Sequence, residues 1–538
     1  MAFRRLSLVA LLLSLATALP TAPALASSEQ ESIMMDDDLL VYGDDNLRTN
    51  TLVRMKQLGV DTVRVTLLWS VAAEGANLTN AEIKRIKSAS GRKKARAQRA
   101  RFDPDNPRTY PTRNWDRFDN IVKDAAGLEM KVFFTITGPG PRFGHRNAPR
   151  SQRLNAKTFK PVPTRFREFV EAVGTRYSGT YRDENAIKQP LARVSMWSLW
   201  NEPNQSGWLS PQWERRAGQL IPASPALYRQ LYLAGREGLA STGHDADTIL
   251  LAETAPLGSS GRGARTSLRP APFLRELACI APNGTPYAGA DATRRGCDVD
   301  FAKGPLRATG FAHHAYTKKR GPTAAPANPD DLTLANLNVL ASLLDRLAAQ
   351  SGGKLPAALP IWITEFGYES NPPDPRNGIP LARQAEFNQL GEFLAYNNPR
   401  VPGVTQFLLR DGAPLRQFKK NSRFYWFTYQ SGLFTQKGKA KPAAIAYLLP
   451  FVAFRSGPNV GFWGQLRFRP DGSPDVAVIQ TRANAQTPWT QLGPPVATSA
   501  RGFFTVTAPA GPVGTEYRAV YVDPATGNII FSSLPAKP

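Results

Sequence analysis

The sequence predicts an α/β fold on a parallel sheet followed by a small all-β unit, and three observations carry that prediction. Short β-branched and aromatic runs alternate with segments of helical period from residue 39 to about residue 455, the pattern of parallel strands joined by helices. Two of those runs stop on a glutamate: 194–200 leads into Asn201-Glu202-Pro203, and 360–364 leads into Glu365-Phe366-Gly367. From Gly457 the helical period disappears and short alternating runs are split by Gly and Pro, as in a small β-sandwich of immunoglobulin-like size.

The elements follow in chain order. Residues 1–26 carry Arg4 and Arg5, an apolar stretch over 6–19 and Ala24-Leu25-Ala26, which reads as a secretory signal peptide. The adjacent arginines also permit a twin-arginine signal, and general secretion is the favoured route. The apolar core is too short to span a bilayer, and no later stretch offers ~20 consecutive apolar residues. After a polar stretch, 39–42 reads as the first strand, and 51–59 as a helix closed by Gly59. Residues 61–69 read as the second strand, 115–127 as a helix, and 131–137 as the third strand running into Gly138-Pro139-Gly140-Pro141. A helix at 165–177 precedes the fourth strand, 194–200. Proline lacks the N–H that a central ladder needs, so this strand should end with Glu202 at its C-terminal tip. The helix at 227–239 and the strand at 248–253 lead into a long irregular loop, then a strand at 309–316. By the two-residue period His314 and Tyr316 share one face and His313 takes the other. A helix at 332–350, the strand tipped by Glu365, a helix at 384–396, a strand at 404–412 and a proline-started helix at 441–449 complete the alternation.

Composition bounds the function. The chain of 538 residues is 42% hydrophobic, ample for a globular core. The balance of 67 Lys+Arg against 43 Asp+Glu gives +24, which favours anionic partners. Six of the ten residues in 92–101 are basic. That run reads first as a solvated insertion, and alternatively as an anchor to anionic cell-envelope polymers or an acidic polysaccharide. It has no aromatic residue for base stacking, which argues against nucleic acid. Cys279 and Cys297 are the only cysteines. In an exported chain they read as one disulfide pinning the irregular loop, the other reading being two free thiols, and they leave no cysteine for a metal. Adjacent histidines on opposite faces make no metal site either, and Gly258–Gly263 lacks the spacing and lysine of a phosphate loop. No cofactor is called for.

Trp200-Asn201-Glu202-Pro203-Asn204, followed far downstream by Trp362-Ile363-Thr364-Glu365-Phe366-Gly367, resembles clan A of the glycoside hydrolases, retaining enzymes on (β/α)8 TIM barrels. The resemblance covers about residues 39–455 and implies a barrel over 27–455; the change of composition beyond it sets the β-sandwich at 456–538. It implies Glu202, ending strand four, as acid/base, and Glu365, ending strand seven, as nucleophile. Arg64, followed five residues later by Trp69, is similar to the clan's second strand, where the arginine touches the nucleophile, and both are then candidate substrate-binding residues; a structural ion pair under the barrel mouth is the other reading of Arg64. His314 and Tyr316 match the clan's His-x-Tyr on strand six, and Asn201 would bind the sugar 2-hydroxyl. Trp208 and Trp213 are candidates for stacking on sugar rings, or for core positions. Two departures stand out: strand eight ends on Arg410-Asp411 rather than tryptophan, with Trp426 as a substitute, and the histidine expected after strand three is replaced only by His145.

The function implied is a secreted retaining hydrolase of O-glycosidic bonds in an oligo- or polysaccharide, acting by double displacement. Arg64 and the Tyr316 hydroxyl would hold Glu365 ionised, and its charge would keep Glu202 protonated. A transglycosylase would use the same residues, and a non-catalytic carbohydrate-binding barrel is the reading from another class. The sandwich either binds polysaccharide or braces the barrel, and bracing is favoured. Oligomeric state, sugar and linkage are not legible.

Overall fold

A computed structural model describes residues 28–186, 188–467, 475–523 and 526–538; the signal peptide expected at 1–26 lies outside the described residues. Eight parallel strands close into a barrel in chain order: β1 Glu31–Met35, β2 Thr62–Leu68, β3 Lys131–Thr137, β4 Met196–Leu199, β5 Thr248–Thr254, β6 Gly310–His314, β7 Ile361–Phe366 and β8 Gly403–Phe407. Closure comes from β1 on β8, where Glu31 through Met35 face Gly403 through Phe407 in register. Each strand is followed by a helix, from Asp45–Gln57 after β1 to Pro442–Leu448 after β8. The helices bury their apolar faces on the outside of the barrel: Phe118, Ile121, Val122 and Ala125 of Thr112–Gly127 all lie in the main core.

The first strand departs from the sequence expectation. It is Glu31–Met35, while 39–42 belongs to a helical turn, Asp37–Leu40, and its exit. The Asp36 carboxylate accepts the Leu39 N–H at 3.3 Å, a cap that starts a helix where the apolar run alone reads as a strand. The irregular loop expected after β5 contains the helices Pro270–Leu277, Gly289–Arg295 and Cys297–Phe301. It is tied by the Cys279–Cys297 disulfide, whose Cα atoms are 6.0 Å apart. The basic run lies on the helix Ala89–Arg101, none of whose residues is buried.

Inside the barrel Phe133, Met196, Leu250 and Ala312 pack around Trp362. A Cβ at Gly310 or Gly403 would come within 2.7 Å of the Trp362 ring, so these glycines make room for the indole that fills the barrel floor. Two register shifts matter for chemistry. Between β6 and β7, Ala312 pairs with Trp362 and His313 with Ile363, but His314 pairs with Glu365, so Thr364 is the extra residue of a bulge. Without it strict alternation would send Glu365 outward; with it Glu365 shares the inward face of His314. Between β5 and β6 the shift skips Glu253, with Ala252 and Glu253 at φ of 86° and 51°.

The C-terminal strands form two antiparallel sheets, matching the expected sandwich. Phe451–Ser456 (β9), Asn459–Gln465 (β10) and Phe503–Pro509 (β12) make one; Val476–Arg482 (β11), Glu516–Val522 (β13) and Ile529–Ser532 (β14) make the other with two short strands. Phe451, Phe462, Ile479, Phe504, Tyr517 and Tyr521 fill the space between them. β9 runs across position 455, so the sheet begins before Gly457. The sandwich docks by Arg467 on Glu392 at 2.7 Å and on Ser32 Oγ at 2.9 Å, and by Arg501 on Asp61 at 2.9 Å. Ser32 and Asp61 stand at the N-terminal ends of β1 and β2, so the contact lies at the end of the barrel opposite the strand tips. Among the described residues no helix is long and apolar enough to cross a membrane.

Candidate active site

The strand tips open onto a cleft of about 540 Å3, lined among others by Asp37, Asn201, Glu202, Trp208, Tyr316, Glu365, Phe407 and Tyr429. Barrel enzymes build their sites at this C-terminal face. The turn after β4 is held against its intrinsic preference: Trp200 and Glu202 have φ of 78° and 37°, a region that side chains enter only when neighbours fix them. Trp200 N–H donates to Ile136 O at 2.9 Å, Asn201 N–H to Thr137 Oγ1 at 3.0 Å and Glu202 N–H to Glu253 O at 3.0 Å. Gly138 leaves room for the Trp200 ring, which a Cβ there would meet at 2.6 Å.

Arg64, fully buried on β2, is the hub. Its guanidinium donates to Glu253 at 2.8 and 3.4 Å, to Glu365 Oε1 at 3.1 Å and to Asn201 Oδ1 at 3.2 Å. Glu365 also accepts from the Tyr316 hydroxyl at 3.0 Å. His314 Nδ1 lies 2.9 Å from Glu202 Oε1 and 3.4 Å from Glu365 Oε2, while its Nε2 faces Glu253 at 4.0 Å. Burial pulls the His314 pKa down, but the carboxylates of Glu365, Glu202 and Glu253 reverse this and leave it above the ordinary imidazole value. Burial pushes Glu365 up, opposed by the positive charges of His314 and Arg64. Desolvation also raises Asp37 to about 6, against hydrogen bonds from Thr66 and the charge of Arg64. His313, on the other face of β6, contacts Thr254 Oγ1 and Leu332 O and is brought down to about 3 by burial, so it stays neutral.

Oxygen atoms of Glu202 and Glu365 and the facing His314 nitrogen all lie within 4.8 Å of one another. A metal ion would need the lone pair of Nδ1. Flanked by two carboxylates, Nδ1 is placed to donate to both.

The structure thus gathers Arg64, Asn201, Glu202, His314, Tyr316 and Glu365 into one network, with Trp208 on the cleft wall. Trp69 is a correction: β2 ends at Leu68, and Trp69 turns into the short helix Trp69–Ala72, away from the cleft. It is 0% exposed, stacked on Phe169 at 5.5 Å and fitted against Gly140 and Gly144. Trp213 sits under Arg262 on a separate hairpin. Neither Trp426 nor His145 is among the residues that line the cleft. β8 ends at Phe407, not at Arg410-Asp411. Phe407 supplies the aromatic wall, edge-on to Tyr316 at 6.0 Å and to Tyr429 at 5.0 Å. Glu253, Asp37, Phe407 and Tyr429 are site residues that the sequence reading did not assign. Glu253 closes a β-branched and aliphatic run as Glu202 and Glu365 do, and that shared ending was the available signal.

No family model and no curated protein sequence matches the chain. Solved structures align over most of its length at low identity. A glucosidase from Croceicoccus marinus aligns over 92% of this chain and 96% of its own, with 11% identity and a TM-score of 0.48. A family 39 glycoside hydrolase from Bacteroides cellulosilyticus aligns over 92% and 81%, with 13% identity and a TM-score of 0.47. A monomeric beta-xylosidase from Caulobacter crescentus aligns over 86% and 84%, with 13% identity and a TM-score of 0.44.

Proposed function

We propose that the chain is a retaining glycoside hydrolase with Glu365 as nucleophile and Glu202 as acid/base. The observation that supports it is the pair of carboxylates on the tips of β4 and β7, with one oxygen of each no more than 4.8 Å from one of the other. Retaining enzymes hold their two carboxyl groups ~5–5.5 Å apart, whereas inverting enzymes need ~6.5–9.5 Å to admit a water between them.

The surroundings divide the roles. Glu365 receives Arg64, the Tyr316 hydroxyl and His314, three donors that favour its ionised form against a burial that still leaves its pKa above the usual carboxylate value. Among the described residues the Glu202 side chain bonds only to His314, and it keeps 22% of its surface exposed toward the cleft, placed to protonate a departing oxygen. Glu365 attacks the anomeric carbon as the bond to the leaving oxygen breaks and Glu202 supplies the proton. With Glu365 esterified its charge no longer faces Glu202, which then takes the proton of the incoming water as that water displaces Glu365. Asn201, held by Arg64 at 3.2 Å, is placed to meet the sugar hydroxyl next to the reacting carbon. The buried Cys279–Cys297 disulfide suits an oxidising compartment, which supports export as part of the reading.

Glu365→Ala tests the assignment. It should abolish turnover of every glycoside, and azide should restore it with inverted product, because the missing carboxylate leaves space on the face of attack. Rescue with retained product overturns the division of roles between Glu365 and Glu202.

A further inference from the structure

The excess of positive charge is concentrated on the loops that surround the cleft. The loop leaving β3, residues 138–162, carries Arg142, Arg146, Arg150, Arg153, Lys157 and Lys160 and no acidic residue; the loop leaving β5, residues 255–269, carries three arginines and no acidic residue. By contrast 177–195, a connection at the opposite end of the barrel, carries three basic and two acidic residues. Arg146, Arg150, Arg153 and Lys157 are exposed, and among the described residues none of them enters an ion pair.

These cations border the active cleft. The Asn155 amide donates to Ser206 O, and Ser210 Oγ donates to Gln152 at 3.1 Å, so the arginine-bearing turns of 150–158 lie against the stretch that presents Trp208 to the cleft. From the other side, Gln205 Nε2 donates to Leu257 O at 2.7 Å and Gln212 N–H to Ala264 O at 2.8 Å. The same stretch is thereby tied to the second basic loop. Unpaired like charges repel one another, and their field concentrates an anionic ligand at the cleft edge. The floor has the opposite sign: Asp37, Asp38, Glu202 and Glu365 line it, with Lys318 the one cation among the described residues of the lining.

We propose that the substrate is a polyanionic glycan, its carboxylate or phosphate groups held by the unpaired arginines of 138–162 and 255–269 while an uncharged sugar unit occupies the acidic floor. Arginine's planar fork of donors matches both kinds of anion. The proposal rests on the glycosidase reading, since the cleft is what selects a glycan over other polyanions, and it commits the reacting unit to being neutral and the flanking units to carrying the charge.

Binding of the full-length protein is measured at low and high salt against hyaluronan, phosphomannan and neutral dextran, with single-stranded DNA and phosphatidylglycerol vesicles as rival polyanions. At low salt one of the two anionic glycans should bind about tenfold or more tighter than dextran, and salt should erode the difference. Which of the two does so identifies the anionic group. Arg150→Glu/Arg153→Glu should abolish the preference and Arg150→Gln/Arg153→Gln should remove an intermediate share, each at an unchanged melting temperature. No preference over dextran, a preference that survives both double variants, or tighter binding of DNA or vesicles than of either glycan overturns the proposal. Turnover of neutral aryl glycosides by the wild-type protein is assayed separately. Its absence would remove the glycosidase reading and leave the binding result standing.

Discussion

Arg64 is shared between two carboxylates, and disturbing the two sides of that sharing should move the nucleophile in opposite senses. The Arg64 charge lowers the Glu365 pKa, whereas the charge of Glu253 raises it. Activity requires ionised Glu365, so Arg64→Met should move the acid limb of kcat/KM to higher pH and Glu253→Gln should move it to lower pH. The stability costs should differ too. Arg64 and Glu253 are both 0% exposed, so Arg64→Met strands a buried carboxylate and should cost about 3–5 kcal/mol. Glu253→Gln keeps the volume, but its single amide oxygen can replace only one of the two oxygens that accept from Arg64 at 2.8 Å and from Thr135 at 2.9 Å, so one hydrogen bond to a charged group is lost, about 1.5–3 kcal/mol. The assays are kcat/KM against pH with an activated aryl glycoside, and denaturant unfolding of each variant. Limbs that move the same way in both variants, or stay where they are, would refute the electrostatic account of the site.

Two further outcomes are expected. His313 is neutral in the fold down to about pH 3 against an ordinary value of 6.5. Between those values the unfolded chain holds the extra proton, so stability falls with falling pH by about 1.4 kcal/mol per unit. His313→Gln should therefore lose less stability than wild type between pH 6.5 and pH 4, and parallel curves would contradict the burial argument. The two tryptophans should separate by phenotype: Trp69→Ala, in the core, should destabilise by about 3–5 kcal/mol, whereas Trp208→Ala, on the cleft wall, should raise KM with little change in the melting temperature. Interchanged effects, read by melting and steady-state kinetics, would return Trp69 to the cleft.

Long runs with a clear period were legible in the sequence, and short or irregular ones were not. The strand that carries Glu365 ends just before Gly367, as its apolar run does, whereas β4 ends at Leu199 and Glu202 sits on the turn before Pro203; His314 and Tyr316 share a face as alternation requires. β1 escaped because its five residues adjoin an acidic stretch, while Leu39 and Leu40 imitate a strand that the Asp36 cap converts into a helical turn. The bulges at Thr364 and Glu253 could not be read from a two-residue period, since a bulge breaks that period. Glu365 was therefore placed by its tip position and by family resemblance, and Glu253 was passed over. Trp69 stands an odd number of residues after the inward Arg64, so alternation alone sends its indole to the outer face, and the helix that begins at Trp69 keeps it in the core. The hairpin Phe451–Gln465 was hidden because its first strand follows the helix Pro442–Leu448 almost without a break.

The most direct test of the double-displacement claim is the intact mass of Glu202→Ala mixed with an activated aryl glycoside. The good leaving group needs little proton assistance, so the first step should survive, while the second step lacks its base and becomes limiting. A glycosyl-enzyme should accumulate, seen as a mass increase of one sugar unit and mapped by peptide mass to Glu365, and glycosides with poor leaving groups should be turned over far more slowly. Equal loss for good and poor leaving groups, with no adduct on Glu365, would contradict the account.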